Sequence, residues 1–432
     1  MRASLEGAPP RQAHLARRVE ELLTERTQAS ERFFAGAAEP LARLCHQAAE
    51  RFARGGRLIA IAHAPAARSD ARHIAVEFVH PVIVGKRALP AIALTGEGRA
   101  HGEGAPGDRA PGERAPGDEA QGDRAPGQWL ELMTEPRDIA IAFDSDLQTA
   151  AAIRAAARRG CLTVAFEALG AEWELEPPSR DPLVRQELVE VAYHLLWELV
   201  HVFFEHRGLL AGRDPGTRHE AGAASFLYPF LAERERDLEG VIADVRRSIV
   251  IKAAETDALR TQTLGECRGE LIAAATAVRA RLDDGGTLLA LGNGGSATDA
   301  MDAVCDLRAP PHGWAARSAI DLSEDSAILT ALANDIGVEA IFRRQVIAYG
   351  RQGDALLAFS TSGGSANVLD ALAEARGRGL ATVAMTGYDG GAIAREGLAD
   401  HVIITRSQSI PRIQEAQASA WHVLRELIEQ AR

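Results

Sequence analysis

The chain carries the same α/β unit twice, and this duplication limits its possible folds more than any other feature. Residues 51–62 (RFARGGRLIAIA) and 281–292 (RLDDGGTLLALG) each read as a helix end, a Gly-Gly turn and a buried strand. The later strands repeat as well, 138–143 against 354–359 and 162–166 against 381–385. Both copies close on an amphipathic helix, 185–205 and 412–430, and long helical stretches precede them at 13–54 and about 224–283. Repetition of βαβ units over this length predicts two tandem α/β domains. They are expected at 1–207 and 223–432, with a Gly-containing linker at 208–222.

One segment stands outside the repeat. Residues 105–127 carry an Ala-Pro-Gly motif at a period of five, which cannot bury apolar surface and predicts a mobile loop over about 97–128. The 48 basic and 60 acidic residues give a net charge of −12, and no long basic run offsets it. That excludes a general nucleic-acid or anionic-membrane binder, so any phosphate site must be built locally. The cysteines, Cys45, Cys161, Cys267 and Cys305, form no CxxC pair and imply neither a disulfide framework nor a thiolate zinc site. The N-terminus has no signal-peptide pattern, and Glu198 and His201 interrupt the apolar run 195–204. A cytoplasmic protein is expected.

In the second copy, strand 287–291 runs into Gly292-Asn293-Gly294-Gly295-Ser296, with a helix expected from near Thr298. Strand 355–359 runs into Ser360-Thr361-Ser362-Gly363-Gly364-Ser365, with a helix from about Asn367. Glycines admit an anion close to the backbone, and helix N-termini present free N–H groups to it. Two such elements at the carboxyl ends of parallel strands suit a sugar phosphate.

Residues 285–432 resemble the SIS (sugar isomerase) family, and within it the phosphoheptose isomerases. The resemblance rests on 291–300, LTALANDIGVEAIF (329–342), FSTSGGSANV (359–368), MTGYDGG (385–391) and RIQE (412–415). It implies two SIS domains, each a parallel sheet flanked by helices in a flavodoxin-like or Rossmann-like three-layer sandwich. It also implies a phosphate held by Asn293, Gly294, Ser296, Ser360, Thr361, Ser362 and Ser365. The first copy resembles the family as a diverged SIS domain.

Family isomerases carry a His and a Glu one helical turn apart after the Gly-rich loop, and a Gln and a His two turns apart on the last helix. This quartet can hold a divalent metal, and its Glu and His also move protons. The first copy has His73, Glu77, Gln186 and His194, a donor set suited to zinc. Its loops are altered to 63–69 (HAPAARS) and 144–149 (DSDLQT), where carboxylates would repel phosphate. The second copy keeps the loops but has Asp302 and Asp306 with Gln414 and His422, a set favouring a harder ion such as manganese or magnesium. There the resemblance assigns the chemistry to His422, Asp306 and Asp325, the last matching an active-site aspartate of the family. Either the site is composite across the domain interface, or one domain bears metal while the other binds the sugar phosphate.

The expected activity is metal-dependent aldose–ketose isomerisation of a heptose phosphate of the sedoheptulose 7-phosphate type. The alternative is a non-catalytic phosphosugar-binding module acting as a sensor or accessory protein. A further option gives the first-copy quartet a different metal chemistry. Since family enzymes are tetramers, a homodimer of this tandem chain would reproduce a four-domain arrangement.

Overall fold

A computed structural model describes residues 10–82, 86–96, 130, 132–205, 209–210 and 237–430. The 105–127 repeat and nearly all of the 208–222 linker lie outside the described residues.

Each half builds one five-stranded, wholly parallel sheet. In the first half the strands are β1 (Leu58–Ala62), β2 (Ala91–Thr95), β3 (Ile139–Ala142), β4 (Leu162–Ala165) and β5 (Trp173–Glu174). In the second they are β6 (Leu288–Leu291), β7 (Ala319–Asp321), β8 (Ala355–Ser360), β9 (Ala381–Gly387) and β10 (His401–Thr405). The orders are β2-β1-β3-β4-β5 and, equivalently, β7-β6-β8-β9-β10. The direction of winding reverses between β1 and β3 and between β6 and β8, so a crevice opens there at the strands' carboxyl ends.

The central strands are apolar along their whole length because both of their faces are covered. Leu58, Ala60 and Ala62 enter one core, and Ile59 and Ile61 enter the core on the opposite face. Leu288 and Ala290 are separated from Leu289 and Leu291 in the same way. Helices on both faces complete the expected three layers in each half.

The long helices do not stay with their own halves. Pro10–Ala53 contributes Leu15, Ala16, Val19 and Leu22 to the second-half core, and only its later part to the first. Conversely, Leu238–Glu266 sends Val241, Ile242, Val245 and Ile249 into the first-half core. The described part of the 224–283 stretch is two helices, Leu238–Glu266 and Arg268–Asp283, separated at Cys267. The closing helices, Pro182–Glu205 and Ile410–Gln430, pack on each other, and nearly every residue of each is buried. A helix buried all round while carrying Gln, Glu, Ser, His and Arg has its polar groups turned to one another, and there the site lies. No helix among the described residues is long and apolar enough to cross a membrane.

Candidate active site at the junction of the two halves

His73 and Glu77 sit one turn apart on the helix Ala67–Val79, and Asp302 and Asp306 occupy the same positions on Gly295–Arg308. His73 Nε2 lies 3.4 Å from His194 Nε2 and 3.8 Å from the Glu77 carboxylate. The amide beside them belongs to the other half: Gln414 Nε2 is 3.3 Å from His73 Nε2. In the second cluster His422 Nε2 lies 3.3 Å from Asp302 and 3.7 Å from Asp306. Here too the amide crosses over, with Gln186 Nε2 donating to Asp302 Oδ1 at 2.7 Å. The two glutamines are therefore exchanged relative to the sequence grouping. The reason is helical rise: side chains two turns apart leave the axis about 12 Å from each other. Each closing helix thus serves both clusters, and each cluster is composite.

A glutamate beside each glutamine fixes the opposite histidine. Glu415 Oε1 accepts from His194 Nδ1 at 3.0 Å, while Thr256 Oγ1 and Arg412 hold the same carboxylate at 2.6 and 3.0 Å. With Nδ1 donating, the His194 Nε2 lone pair faces His73. Burial lowers His73 well below the usual imidazole value, helped by its neighbour His194. Burial also takes His194 down to about 3, with Arg412 adding to the effect. Both rings are neutral, the state in which imidazole ligates a metal.

The second cluster is closed on itself. Glu187 Oε1 accepts from His422 Nδ1 at 2.8 Å, and Arg26 and Ser419 complete its shell at 2.9 and 2.6 Å. Burial alone would raise Glu187, but Arg26 and His422 hold it well below the carboxylate range. Burial likewise opposes charge on His422, yet Asp302 and Glu187 lift it well above its ordinary value. Burial, reinforced by Asp302, pushes Asp306 up to about 7, and Trp421 Nε1 donates to it at 2.8 Å. A cationic His422 thus stands among carboxylates.

Unpaired atoms distinguish the clusters as metal sites. Among the described residues, both oxygens of Glu77, Oε1 of Glu190 and Oε1 of Gln414 are buried without a hydrogen-bond partner. No oxygen of Asp302 or Asp306 is in that condition. Buried acceptors without donors are costly, and a cation among them relieves the cost. The first cluster therefore fits a divalent ion. Its donors are two imidazoles, carboxylate and amide oxygen, a set suited to zinc and related ions.

The loops differ in the same sense. In the second half neither Gly295–Arg308 nor Ala366–Gly377 has a side-chain cap, so their N-terminal N–H groups are open to an anion. Asn293 and Asn367 tie the loops together by reciprocal amide bonds of 3.0 and 2.9 Å. Gly294, with φ 58°, starts the helix at Gly295, earlier than the expected Thr298. Ser296 is buried in that first turn, and Ser360 lies buried at the end of β8. Ser360 Oγ and Ser362 Oγ accept from Gly363 and Gly364 at 3.2 Å each, and the half-buried Thr361 lies between them. Ser365 precedes Ala366–Gly377 with its hydroxyl uncommitted to the cap. In the first half Asp144 Oδ2 accepts from His63 and Ala64 N–H at 2.6 and 2.9 Å, and Asp146 caps Leu147–Arg158. The donors that an anion would need already hold carboxylates.

Position settles which loop serves which cluster. Gly295 of the intact loop abuts His73 and Gln414, whereas Ala66 O and Ser69 Oγ of the altered loop accept from Gln186 beside Asp302. The altered loops of copy one and the lost His/Glu of copy two thus meet in a single cluster, and the intact features meet in the other.

Asp325 joins neither cluster. It is exposed, and its carboxylate caps Ser326–Asp335 by accepting from Ala327 and Ile328 N–H at 2.9 and 3.0 Å. Three glutamates went unnoticed in the sequence. Glu187 and Glu415 each follow a repeated glutamine, a signal the duplication offered. Glu190 stands against Ala418 in the other copy and had no such signal.

Parallel sheets with uncapped helix N-termini at a switch point, beside a histidine–carboxylate cluster, define a doubly wound α/β architecture with a candidate anion site next to a candidate metal site. A family model described as "SIS domain" matches residues 253–387. The phosphoheptose isomerase of Chlorobium limicola is 42% identical over 163 residues, covering 37% of this chain and 75% of that protein. The phosphoheptose isomerase of Rhodospirillum rubrum is 41% identical over 175 residues, covering 39% and 89%. Both halves share their fold with the C-terminal domain of glucosamine-fructose-6-phosphate aminotransferase from Francisella tularensis. That match has a TM-score of 0.53 and 10% identity, and covers 99% of this chain and 97% of that one. The chain belongs to the SIS family. It is a tandem SIS-domain protein whose second half is similar to phosphoheptose isomerases.

Proposed function

We propose that this chain is a phosphosugar isomerase with one active centre, interconverting the ketose and aldose forms of a heptose phosphate of the sedoheptulose 7-phosphate type. The observation that carries this reading is the contact of Gly295, in the intact phosphate loop, with His73 of the first-half cluster. It brings the Gly-rich loop of the second copy and the His-Glu pair of the first into one site, and the relatives named phosphoheptose isomerases supply the substrate class.

The loops at 292–296 and 360–365 would hold the phosphate through backbone N–H groups and the hydroxyls of Ser360, Thr361, Ser362 and Ser365. Isomerisation moves a proton between adjacent carbons through an enediol, which requires a carboxylate with proton affinity near working pH. Burial, reinforced by Glu198 and Glu415, pushes Glu77 up to about 8, and no donor binds its oxygens. Glu77 is the group we assign to that transfer, with His194 oriented by Glu415. A divalent ion held by His73, His194 and Gln414 would polarise the substrate's carbonyl and hydroxyl oxygens. This moves the chemistry from His422, Asp306 and Asp325 to the cluster of His73, Glu77, His194 and Gln414.

Two such chains are proposed to pair. The helix Ser326–Asp335 buries none of its residues within one chain, and Ile336 and Val338 beside it are 55% and 58% exposed. Light scattering on the eluted protein reads the stoichiometry.

The deciding assay supplies C5–C7 ketose phosphates together with zinc, manganese or cobalt. Turnover should disappear in His194→Ala and weaken in Ser362→Ala. Absence of turnover of every substrate sinks the proposal, and binding without turnover would instead support the accessory-module reading.

A further inference from the structure

Glu190 lies outside the family quartet, yet its carboxylate belongs to the same cluster. Donor atoms of His73, Glu190 and His194 all fall within 4.8 Å of one another, and all three residues are buried. Glu190 and His194 are one turn apart on the closing helix, so both side chains leave the same face. The helix Ala67–Val79 brings His73 from the opposite side.

Among the described residues no cationic side chain pairs with this carboxylate, and its Oε1 is buried without a donor. The charged groups acting on it most strongly, Asp299, Glu415, Asp70 and Asp302, are all acidic. A carboxyl placed among acids and away from water must either keep a proton or hold a cation, and a cation between it and the lone pairs of His73 and His194 satisfies all three groups at once. The equivalent position in the other closing helix is Ala418, so the carboxylate exists only at the centre that kept its histidines.

We propose that Glu190 is a further ligand of the divalent cation at this centre, binding it together with His73 and His194. This rests on the metal-bearing centre described above and gives it a carboxylate distinct from Glu77. One carboxylate then anchors the ion while the other stays free to carry the proton, a division that a single glutamate cannot make.

Zinc titration of the full chain against a chromophoric chelator tests the assignment. Zinc affinity should fall at least tenfold in Glu190→Gln, and zinc should raise the melting temperature of the variant less than that of the wild type. A folded variant with wild-type zinc affinity and thermal response overturns the proposal. Glu190→Asp, which keeps the charge but withdraws the oxygens by one methylene, is read in the same way if glutamine prevents folding. Unchanged affinity there also overturns it. A wild-type chain that takes up no zinc overturns this proposal and the metal-dependent isomerase reading together, whereas tight zinc binding indifferent to position 190 overturns this one alone.

Discussion

Gly295 and His73 come from opposite halves of the chain and touch at the heart of the molecule. A Cβ at position 295 would stand 2.6 Å from His73 Nε2 and 2.0 Å from the Gln414 amide nitrogen. Gly295→Ala is therefore expected to displace both side chains. The expected result is a loss of at least tenfold in zinc affinity and in kcat/KM with the fold retained. Unchanged zinc affinity would remove the contact as an organising feature.

Replacing the two paired histidines should have unlike consequences. His194→Ala removes a metal donor and should abolish turnover and zinc uptake with a modest change in stability. His422→Ala should leave zinc uptake near one ion per chain. It strands Asp302 and Asp306 without their buried cation and leaves Glu187 to Arg26 and Arg260, at a cost of about 3–5 kcal/mol. Metal analysis beside urea denaturation distinguishes the two.

Asp144 offers a control in the first-half loop, where its carboxylate occupies the backbone donors. Asp144→Ala leaves the N–H groups of His63 and Ala64 without their acceptor. The expected destabilisation is about 1–3 kcal/mol. KM for the sugar phosphate should not move, and a raised KM would mean that the first-half loop takes part in binding.

Asp321, at the end of β7, sets a pH dependence through a residue that belongs to neither cluster. Burial, reinforced by Glu324 and opposed by Ser323, pushes its carboxyl up to about 6. The folded value lies above the unfolded one. Its favourable contribution is therefore complete below about pH 4 and lost as pH rises through 6. Asp321→Asn should match the wild type near pH 4 and exceed its stability by about 1–3 kcal/mol at pH 8. Urea midpoints at the two pH values check the sign.

Much of this was legible in the sequence. The Gly-Gly turns, the uniformly apolar strands and the two loop sequences located both sheets and the crevice at their carboxyl ends. The pairing of side chains across the halves was not legible. A helical period says that Gln186 and His194 share a face, but not that two turns of rise deliver them to separate clusters. Nor does an amphipathic pattern say whose core a helix enters. Leu15 and Val19 read as any apolar stripe would, yet they lie against the sheet that begins at Leu288. The departures also lie in both copies; only the fold shows that His73 faces Gly295 while Asp302 accepts from Ser69.

Because every site draws on both copies, tethering them changes what drift can do. In a symmetric ring of identical subunits, a substitution at the loop or at the histidine strikes every centre at once. In this chain Asp144 lines a pocket with Gln186 and Asp306, and its counterpart loop in the other copy carries no such carboxylate. Covalent linkage has broken the symmetry, so one centre can change in sequence without the same change falling on the other.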